Sequence, residues 1–295
     1  VKTPFLVIFS DLDNCLLDRD SYEFSAANGA LDEIRRRNIP LVLVSSKTRA
    51  EIELHRSSLA ITAPFVVESG GALYLTNGTS DDEQHGASDG GGLAKIEWGL
   101  PYEAIRAALV EARQRFAVRG FGDMDVQEIV AHTGLTNHNA QLAAAREYSE
   151  PFLLEHPEQL LPLIAWAAER ELQILSGGRF YHLAAAGQDK GRAVRFLIKH
   201  YRRHHDGPVL SMALGDSPND LPMLAAVDMP VLLPNHDGGF ADLHLPQAIR
   251  ATAPSSRGWN QQVLAFIRLV GSSLETETAK KAISLHTHDN PEELP

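Results

Sequence analysis

Asp11 and Asp13, one residue apart, follow directly on the apolar run Phe5-Leu-Val-Ile-Phe9. Unpaired charges are costly to bury, so two carboxylates at the end of a buried strand form either a polar turn or a site, and such a site suits a metal. Gly215-Asp216-Ser-Pro-Asn219-Asp220 follows a second apolar run, Leu210–Leu214, and adds two carboxylates and an amide. Ser45 ends a third run, Leu41–Val44, with Ser46 competing for the same place. Lys190 opens the helical stretch that precedes the second run. This inventory suits phosphoryl transfer. Carboxylate oxygens and waters bind magnesium, which bridges phosphate oxygens. One carboxylate can be a nucleophile that forms an aspartyl-phosphate. A second can protonate the leaving alkoxide and later activate water. A hydroxyl, a lysine and backbone N–H groups can hold the equatorial oxygens as charge spreads over them. Lys190 would also offset the local negative charge.

The elements that must bring these residues together are short. Phe5–Phe9, Leu41–Val44 and Phe65–Val67 are too short for helices and read as buried strands. Helices at Asn28–Arg37 and Arg49–Leu59 alternate with them, which implies a parallel sheet with right-handed crossovers. In such a sheet the carboxyl ends of neighbouring strands open on one crevice. Asn77-Gly78 and the Gly/Ser/Asp-rich stretch from Asp81 to Gly92 read as a loop near a domain boundary. From about Ala94 to Leu183 the texture changes. Helices are expected at Tyr102–Phe116, Asp123–Thr133 and Thr136–Glu147, with Thr136 as an N-cap, followed by Leu163–Ala168 and Gln173–Leu175. The βαβ rhythm then resumes with a helix at Lys190–Tyr201, a strand at Leu210–Leu214, a helix at Leu221–Ala226, a strand at Pro230–Leu233 and a closing helix at Gly258–Val270. The expected division is a core from 1–85 and 186–271, an inserted α+β domain at 86–185, and a frayed polar tail at 272–295.

The 295 residues carry 27 Lys and Arg against 38 Asp and Glu, a net charge of −11. That balance, without a basic stripe, argues against a nucleic-acid partner. It leaves an anionic substrate open, because a local cation or metal decides that. The single cysteine, Cys15, permits no intrachain disulfide and fits a reducing compartment. No apolar stretch approaches a membrane span and no leader pattern opens the sequence, so a cytoplasmic protein is expected. Oligomeric state, monomer or homodimer, stays open.

The order D-x-D, Ser at a strand end, Lys, then G-D-x-x-x-D resembles the haloacid dehalogenase superfamily of phosphatases. The resemblance implies a Rossmann-like parallel-sheet core with an inserted α+β cap domain, and Mg2+ as cofactor. It implies Asp11 as nucleophile and Asp13 as general acid/base. Asp216 would ligate the metal with Asp11 and the carbonyl of Asp13, and Asp220 would support it. Ser45 and Lys190 would bind the phosphoryl group, with Ser46 and Asn219 nearby. Asn14 and Cys15 stand where the superfamily usually has Gly-Thr; Asn tolerates the positive φ of that glycine, and the thiol is a weaker hydrogen-bonding group.

Ser45-Ser-Lys-Thr-Arg-Ala-Glu51, Glu68-Ser-Gly-Gly-Ala72, Thr133-Gly-Leu135, Arg146-Glu-Tyr-Ser-Glu-Pro151 and Ser176-Gly-Gly-Arg-Phe-Tyr-His182 look, together, like the mannosyl-3-phosphoglycerate phosphatase family. The substrate implied is a mannosyl- or glucosyl-3-phosphoglycerate, with phosphate, carboxylate and hexose. Arg179 is suited to fork onto the carboxylate, and Arg146 or Lys47 could do the same. Glu147, Tyr148 and His182 are candidates for the sugar hydroxyls. The alternatives are a phosphatase for sucrose or trehalose phosphate, and a sugar phosphotransferase or mutase.

Overall fold

The structure, a computed structural model, describes residues 2–18, 21–76, 87–88, 93–177 and 180–286. The first half-core runs β1 (Phe5–Ser10), α1 (Asn28–Arg36), β2 (Leu41–Val44), α2 (Arg49–Leu59), β3 (Phe65–Val67), β4 (Ala72–Leu75), β5 (Ala87–Ser88) and β6 (Ala94–Glu97). Then come α3 (Tyr102–Ala112), β7 (Val118–Gly120), α4 (Val126–Thr133), α5 (Asn137–Ala144), β8 (Ser149–Leu154), α6 (Leu160–Ala168), β9 (Leu172–Ser176) and β10 (Tyr181–Ala185). The chain closes with α7 (Lys190–His204), β11 (Val209–Gly215), α8 (Leu221–Leu224), β12 (Met229–Leu232), β13 (Ile249–Arg250) and α9 (Ser255–His286).

Nine strands form one sheet in the order β13-β12-β11-β1-β2-β3-β4-β6-β5, and four form another in the order β7-β8-β10-β9. From β13 to β3 the large sheet is parallel; β4, β6 and β5 add an antiparallel edge. β1 is apolar from Phe5 to Phe9 because both of its faces are covered. Leu6 and Ile8 pack with α1 and α9, through Leu31, Ile34, Trp259 and Phe266. Val7 and Phe9 pack with α7, through Val194, Leu197 and Tyr201. The small sheet is antiparallel and has its own core, in which Phe152 and Leu183 meet Ile105, Leu109 and Trp166 of α3 and α6. The fold is thus a parallel-sheet α/β core with an inserted α+β cap.

The chain crosses between the two sheets at one place. Gly71 O accepts both Trp98 N and Gly99 N at 2.9 Å on the way out, and Gln188 Nε2 donates to Glu68 O at 2.6 Å on the way back.

Several elements differ from the sequence expectation, each for a local reason. β5 and β6, expected in the inserted domain, pair with the large sheet. α4 begins at Val126 because Asp125 caps it in a capping box with Glu128, while Asp123 turns to Arg106 and Arg113. Thr136 caps α5 as expected, accepting from Asn139 N at 3.2 Å. The closing helix starts at Ser255 and continues to His286, where a frayed tail was expected; residues 287–295 lie outside the described residues. Among the described residues, no helix is long and apolar enough to cross a membrane.

Candidate active site

β1 and β11 are parallel neighbours with Ser10 opposite Leu214, so the loops that leave their carboxyl ends start side by side. Asp11 N donates to Leu214 O at 3.0 Å, which fixes the first aspartate against the second loop. Asp11 Oδ1 accepts Leu12 N at 2.8 Å and lies 3.0 Å from Lys190 Nζ. The turn continues through Asn14, whose φ of 55° is the left-handed conformation expected of it. Beneath this loop Trp259 Nε1 donates to Ser10 Oγ at 2.9 Å, and that hydroxyl donates to Asp11 O at 2.6 Å.

The second loop folds under itself. Asp220 Oδ2 accepts Asp216 N, Ser217 N and Ser217 Oγ at 3.1, 3.0 and 2.9 Å, and Asp220 Oδ1 accepts Lys190 Nζ at 2.6 Å. Gly215 makes this possible: a Cβ there would stand 2.5 Å from Asp220 Cβ. Lys190 is fully buried between Asp11 and Asp220. Burial alone would lower its pKa, but the two carboxylates outweigh that and push it above the usual lysine range.

Asp11, Asp216 and Asp220 each place a carboxylate oxygen within 4.8 Å of the others, and all three are buried. Burial raises the Asp11 carboxyl to about 7, against Lys190 and reinforced by Asp220 and Asp13. Burial, then Asp220 and Asp11, raise Asp216 to about 8, while the Asn14 amide favours its charged form. Three carboxylates face one ammonium, so hard oxygen donors outnumber the cation that faces them. That donor set fits a divalent cation such as Mg2+.

Asp13 turns away from this cluster. Its Oδ2 lies 3.0 Å from Lys47 Nζ, and its Oδ1 is buried without a hydrogen-bond partner among the described residues. Lys47 also lies 3.4 Å from Glu51 Oε1 and 5.7 Å from the Tyr22 ring centroid. Burial pulls its pKa down, yet Asp13 and Glu51 carry it above the usual lysine range.

These groups line a cleft of about 720 Å³ between the two sheets, a volume typical of small-molecule sites. Asp11, Asp13, Asn14, Ser46, Lys47, Asp216 and Asn219 line it from the core, and Arg146 and His182 from the inserted segment. Lys190 and Asp220 lie one layer beneath. Ser45 does not line the cleft: it is fully buried and its hydroxyl accepts Lys47 N at 3.3 Å, while the next residue, Ser46, lines the cleft. Arg146 donates from Nη1 to Ser46 O at 2.8 Å and from Nε to Ala143 O at 2.9 Å. His182 is held neutral at pH 7, at about 3, by burial and by the neighbouring Arg146 and Lys190.

Glu147 and Tyr148 do not line the cleft, contrary to expectation. Tyr74 Oη donates to Glu147 Oε2 at 3.2 Å, and Tyr148 Oη donates to Glu97 Oε1 at 2.6 Å, both at the junction with β4 and β6. Arg179 lies outside the described residues. Sequence reasoning missed Asn235, His236, Asp237 and Asp242, which form part of the rim. Their signal was present, since this polar loop also follows the carboxyl end of a core strand, β12.

The haloacid dehalogenase-like hydrolase family matches residues 129–238. A Persephonella marina protein named glucosyl-3-phosphoglycerate/mannosyl-3-phosphoglycerate phosphatase is 39% identical over 264 residues, 88% of this chain and 96% of that protein. The mannosyl-3-phosphoglycerate phosphatase of Pyrococcus furiosus is 34% identical over 230 residues, 77% of this chain and 90% of that protein. Among solved structures, a Thermoplasma acidophilum protein superposes with a TM-score of 0.61 at 20% identity, covering 89% of this chain and 98% of that one. The Synechocystis sucrose-phosphatase, in complex with sucrose and phosphate, gives 0.60 at 14% identity over 89% and 98%. At these identities the two structures speak for the fold alone. Sequence identity of this extent over nearly the whole length places the chain among the haloacid dehalogenase-like hydrolases, in the glucosyl-3-phosphoglycerate/mannosyl-3-phosphoglycerate phosphatase family.

Proposed function

We propose that this chain is a Mg2+-dependent phosphatase that hydrolyses mannosyl- or glucosyl-3-phosphoglycerate to the glycosylglycerate and phosphate. The observation that carries this reading is the buried Asp11–Lys190–Asp220 array, with Asp216 beside it, at the floor of a cleft walled by Lys47 and Arg146. Asp11 and Asp216 would hold the ion together with the Asp13 carbonyl, and Asp220 would support it. Bound there, Mg2+ would neutralise phosphoryl oxygens and so favour attack by an anion.

Asp11 attacks phosphorus through a carboxylate oxygen while the bond to the glycerate oxygen breaks, and Asp13 gives that oxygen its proton. Asp13 then takes a proton from water, whose oxygen attacks phosphorus and releases phosphate and Asp11. Lys190, facing Asp11 from below, favours its ionised form against the effect of burial. Ser46 and the backbone of its loop hold the transferred group. Lys47 and Arg146 face the carboxylate of the glycerate, and Asn219 stands beside the phosphoryl site. The inserted segment closes the cleft from above and supplies selectivity.

Phosphate release tests the reading. The panel is mannosyl- and glucosyl-3-phosphoglycerate, free 3-phosphoglycerate, sucrose 6-phosphate and trehalose 6-phosphate, with Asp11→Asn as the control. Release from the two glycosyl-phosphoglycerates, abolished by Asp11→Asn, is expected. Preference for a disaccharide phosphate would keep the chemistry and discard the substrate. Transfer of phosphate to an added sugar would make the protein a phosphotransferase.

A further inference from the structure

Glu68 is a carboxylate in the wrong place for a structural residue. It is 1% exposed, lies in no helix or sheet, and belongs neither to the acidic cluster nor to the residues that line the cleft. Its backbone is left-handed at φ 47°, as is that of Ser69 at 57°, a conformation that costs non-glycine residues energy and persists only where surroundings impose it. The next residue, Gly70, has φ 98°, and a Cβ there would stand 2.2 Å from Asp189 O.

What imposes this turn is a closed ring of contacts. Glu68 N donates to Lys47 O at 2.9 Å and Ser69 N to Ser45 O at 2.8 Å, so the turn is pinned to the loop that ends β2. The Glu68 carboxylate then reaches across to the inserted segment. Oε1 accepts Glu147 N at 2.7 Å, and Oε2 accepts Tyr148 N at 3.1 Å and Ser149 Oγ at 2.6 Å. Immediately before that segment, Arg146 returns to the starting loop through its bond to Ser46 O, with Nη1 3.9 Å from Glu68 Oε2. The Arg146 side chain is 6% exposed, yet it lines the cleft.

We infer that Glu68 is a positioning residue: by holding the 147–149 backbone it seats Arg146 over the cleft, so that recognition of the substrate's carboxylate depends on a core carboxylate that never meets substrate. Two backbone N–H groups and one hydroxyl converge on Glu68, all of them donors, and only an acceptor on both oxygens satisfies them. Glutamine at this position would point an NH2 group at one set of those donors. α5 ends at Ala144, before Arg146, and Glu68 is what takes up the backbone N–H groups that follow. The substrate part of the inference rests on the proposed activity; the seating of Arg146 does not.

The test uses Glu68→Gln, Arg146→Ala, the double variant, and the milder Ser149→Ala, which removes one donor and leaves Glu68 in place. Hydrogen exchange of the 146–149 amides reads the seating without substrate. The ratio of kcat/KM for the glycosyl-phosphoglycerate to that for a carboxylate-free ester, para-nitrophenyl phosphate, reads its consequence. Glu68→Gln should speed exchange at 147 and 148 at least tenfold. It should lower the ratio at least tenfold, mainly through KM. In the Arg146→Ala background it should change the ratio less than twofold, because Arg146 carries the effect. Ser149→Ala should move both readouts the same way by a smaller factor. Unchanged exchange, a parallel loss on both substrates, or additive effects of Glu68→Gln and Arg146→Ala would overturn the inference. A wild-type protein inactive on both glycosyl-phosphoglycerates would instead sink the proposed function, and fast exchange in Glu68→Gln would still support the seating role.

Discussion

Lys47 Nζ stands 3.0 Å from Asp13 Oδ2. This ion pair joins the loop after β2 to the loop after β1, and the Lys47 side chain is only 9% exposed. In the proposed mechanism an anionic substrate beside Lys47 would compete with Asp13 for this contact, and Asp13 would be the acid–base group. Removing the ammonium with Lys47→Met should leave Asp13 misplaced and Glu51 with only its Thr48 contacts. General acid–base groups contribute about 10²–10⁴ in rate, so a 10–100-fold fall in kcat is expected, on the order of half that contribution in logarithmic terms. Lys47→Arg should fall between the two. A Lys47→Met enzyme with wild-type kcat would show that Asp13 does not depend on this contact.

Lys190 is a second buried cation with a different task. It has no exposed surface and serves two carboxylates, Asp11 and Asp220. Breaking a buried ion pair by removing one partner costs about 3–5 kcal/mol. Lys190→Met should lose stability of that order in urea unfolding and lose activity outright. Stability within 1 kcal/mol of wild type, roughly the scatter of an ordinary surface change, would mean that the carboxylates are neutral in the folded protein.

The acidic cluster makes stability depend on pH and on metal together. Asp11 and Asp216 are held up at about 7 and about 8 by burial and by their neighbours, whereas an unfolded aspartate loses its proton near pH 4. Between these values the folded protein binds more protons than the unfolded chain, so stability in chelator should fall as pH rises from about 4 to 8. Mg2+ competes with those protons. The gain in unfolding midpoint on adding Mg2+ should therefore grow with pH across this window. A gain independent of pH would contradict the assignment of these two carboxylates as ligands.

Cys15 should be chemically silent in the native protein. It is fully buried, 3.8 Å from Ser10 Oγ, and burial together with Asp11, Asp216 and Asp220 raises its thiol well above the usual range. Only the thiolate reacts. A chromogenic disulfide reagent at pH 8 should label it only after denaturant is added; rapid labelling of the native enzyme would show that the first loop opens.

Legibility from sequence followed the distance over which each residue finds its partners. That Asp11, Asp216 and Asp220 come together could be read because each sits within a few residues of an apolar run, and parallel pairing of β1 with β11 does the rest, whereas the contact of Asp13 with Lys47 spans two loops. Ser46 rather than Ser45 lines the cleft because β2 ends at Val44 and the chain turns there, burying Ser45. Glu147 and Tyr148 were misread because Tyr74 and Glu97, which occupy them, are 73 and 51 residues away. Glu68 stands in the sequence only as part of a short motif; its donors lie 79 to 81 residues further on, and no local pattern announces them.

The narrow crossing has an architectural consequence. Gly71 receives the outgoing chain at Trp98 and Gly99, and a Cβ on Gly99 would stand 2.9 Å from Gln188 Oε1 on the returning chain. The inserted segment is therefore a cassette whose two ends nearly touch. A short bridge from Gly99 to Gln188 would excise the small sheet whole and keep every strand of the large one. The graft would not be neutral, however, since the strap from Glu68 to residues 147–149 would be cut. Any cassette traded into this frame has to bring its own donors to that carboxylate, or arrive with Glu68 replaced.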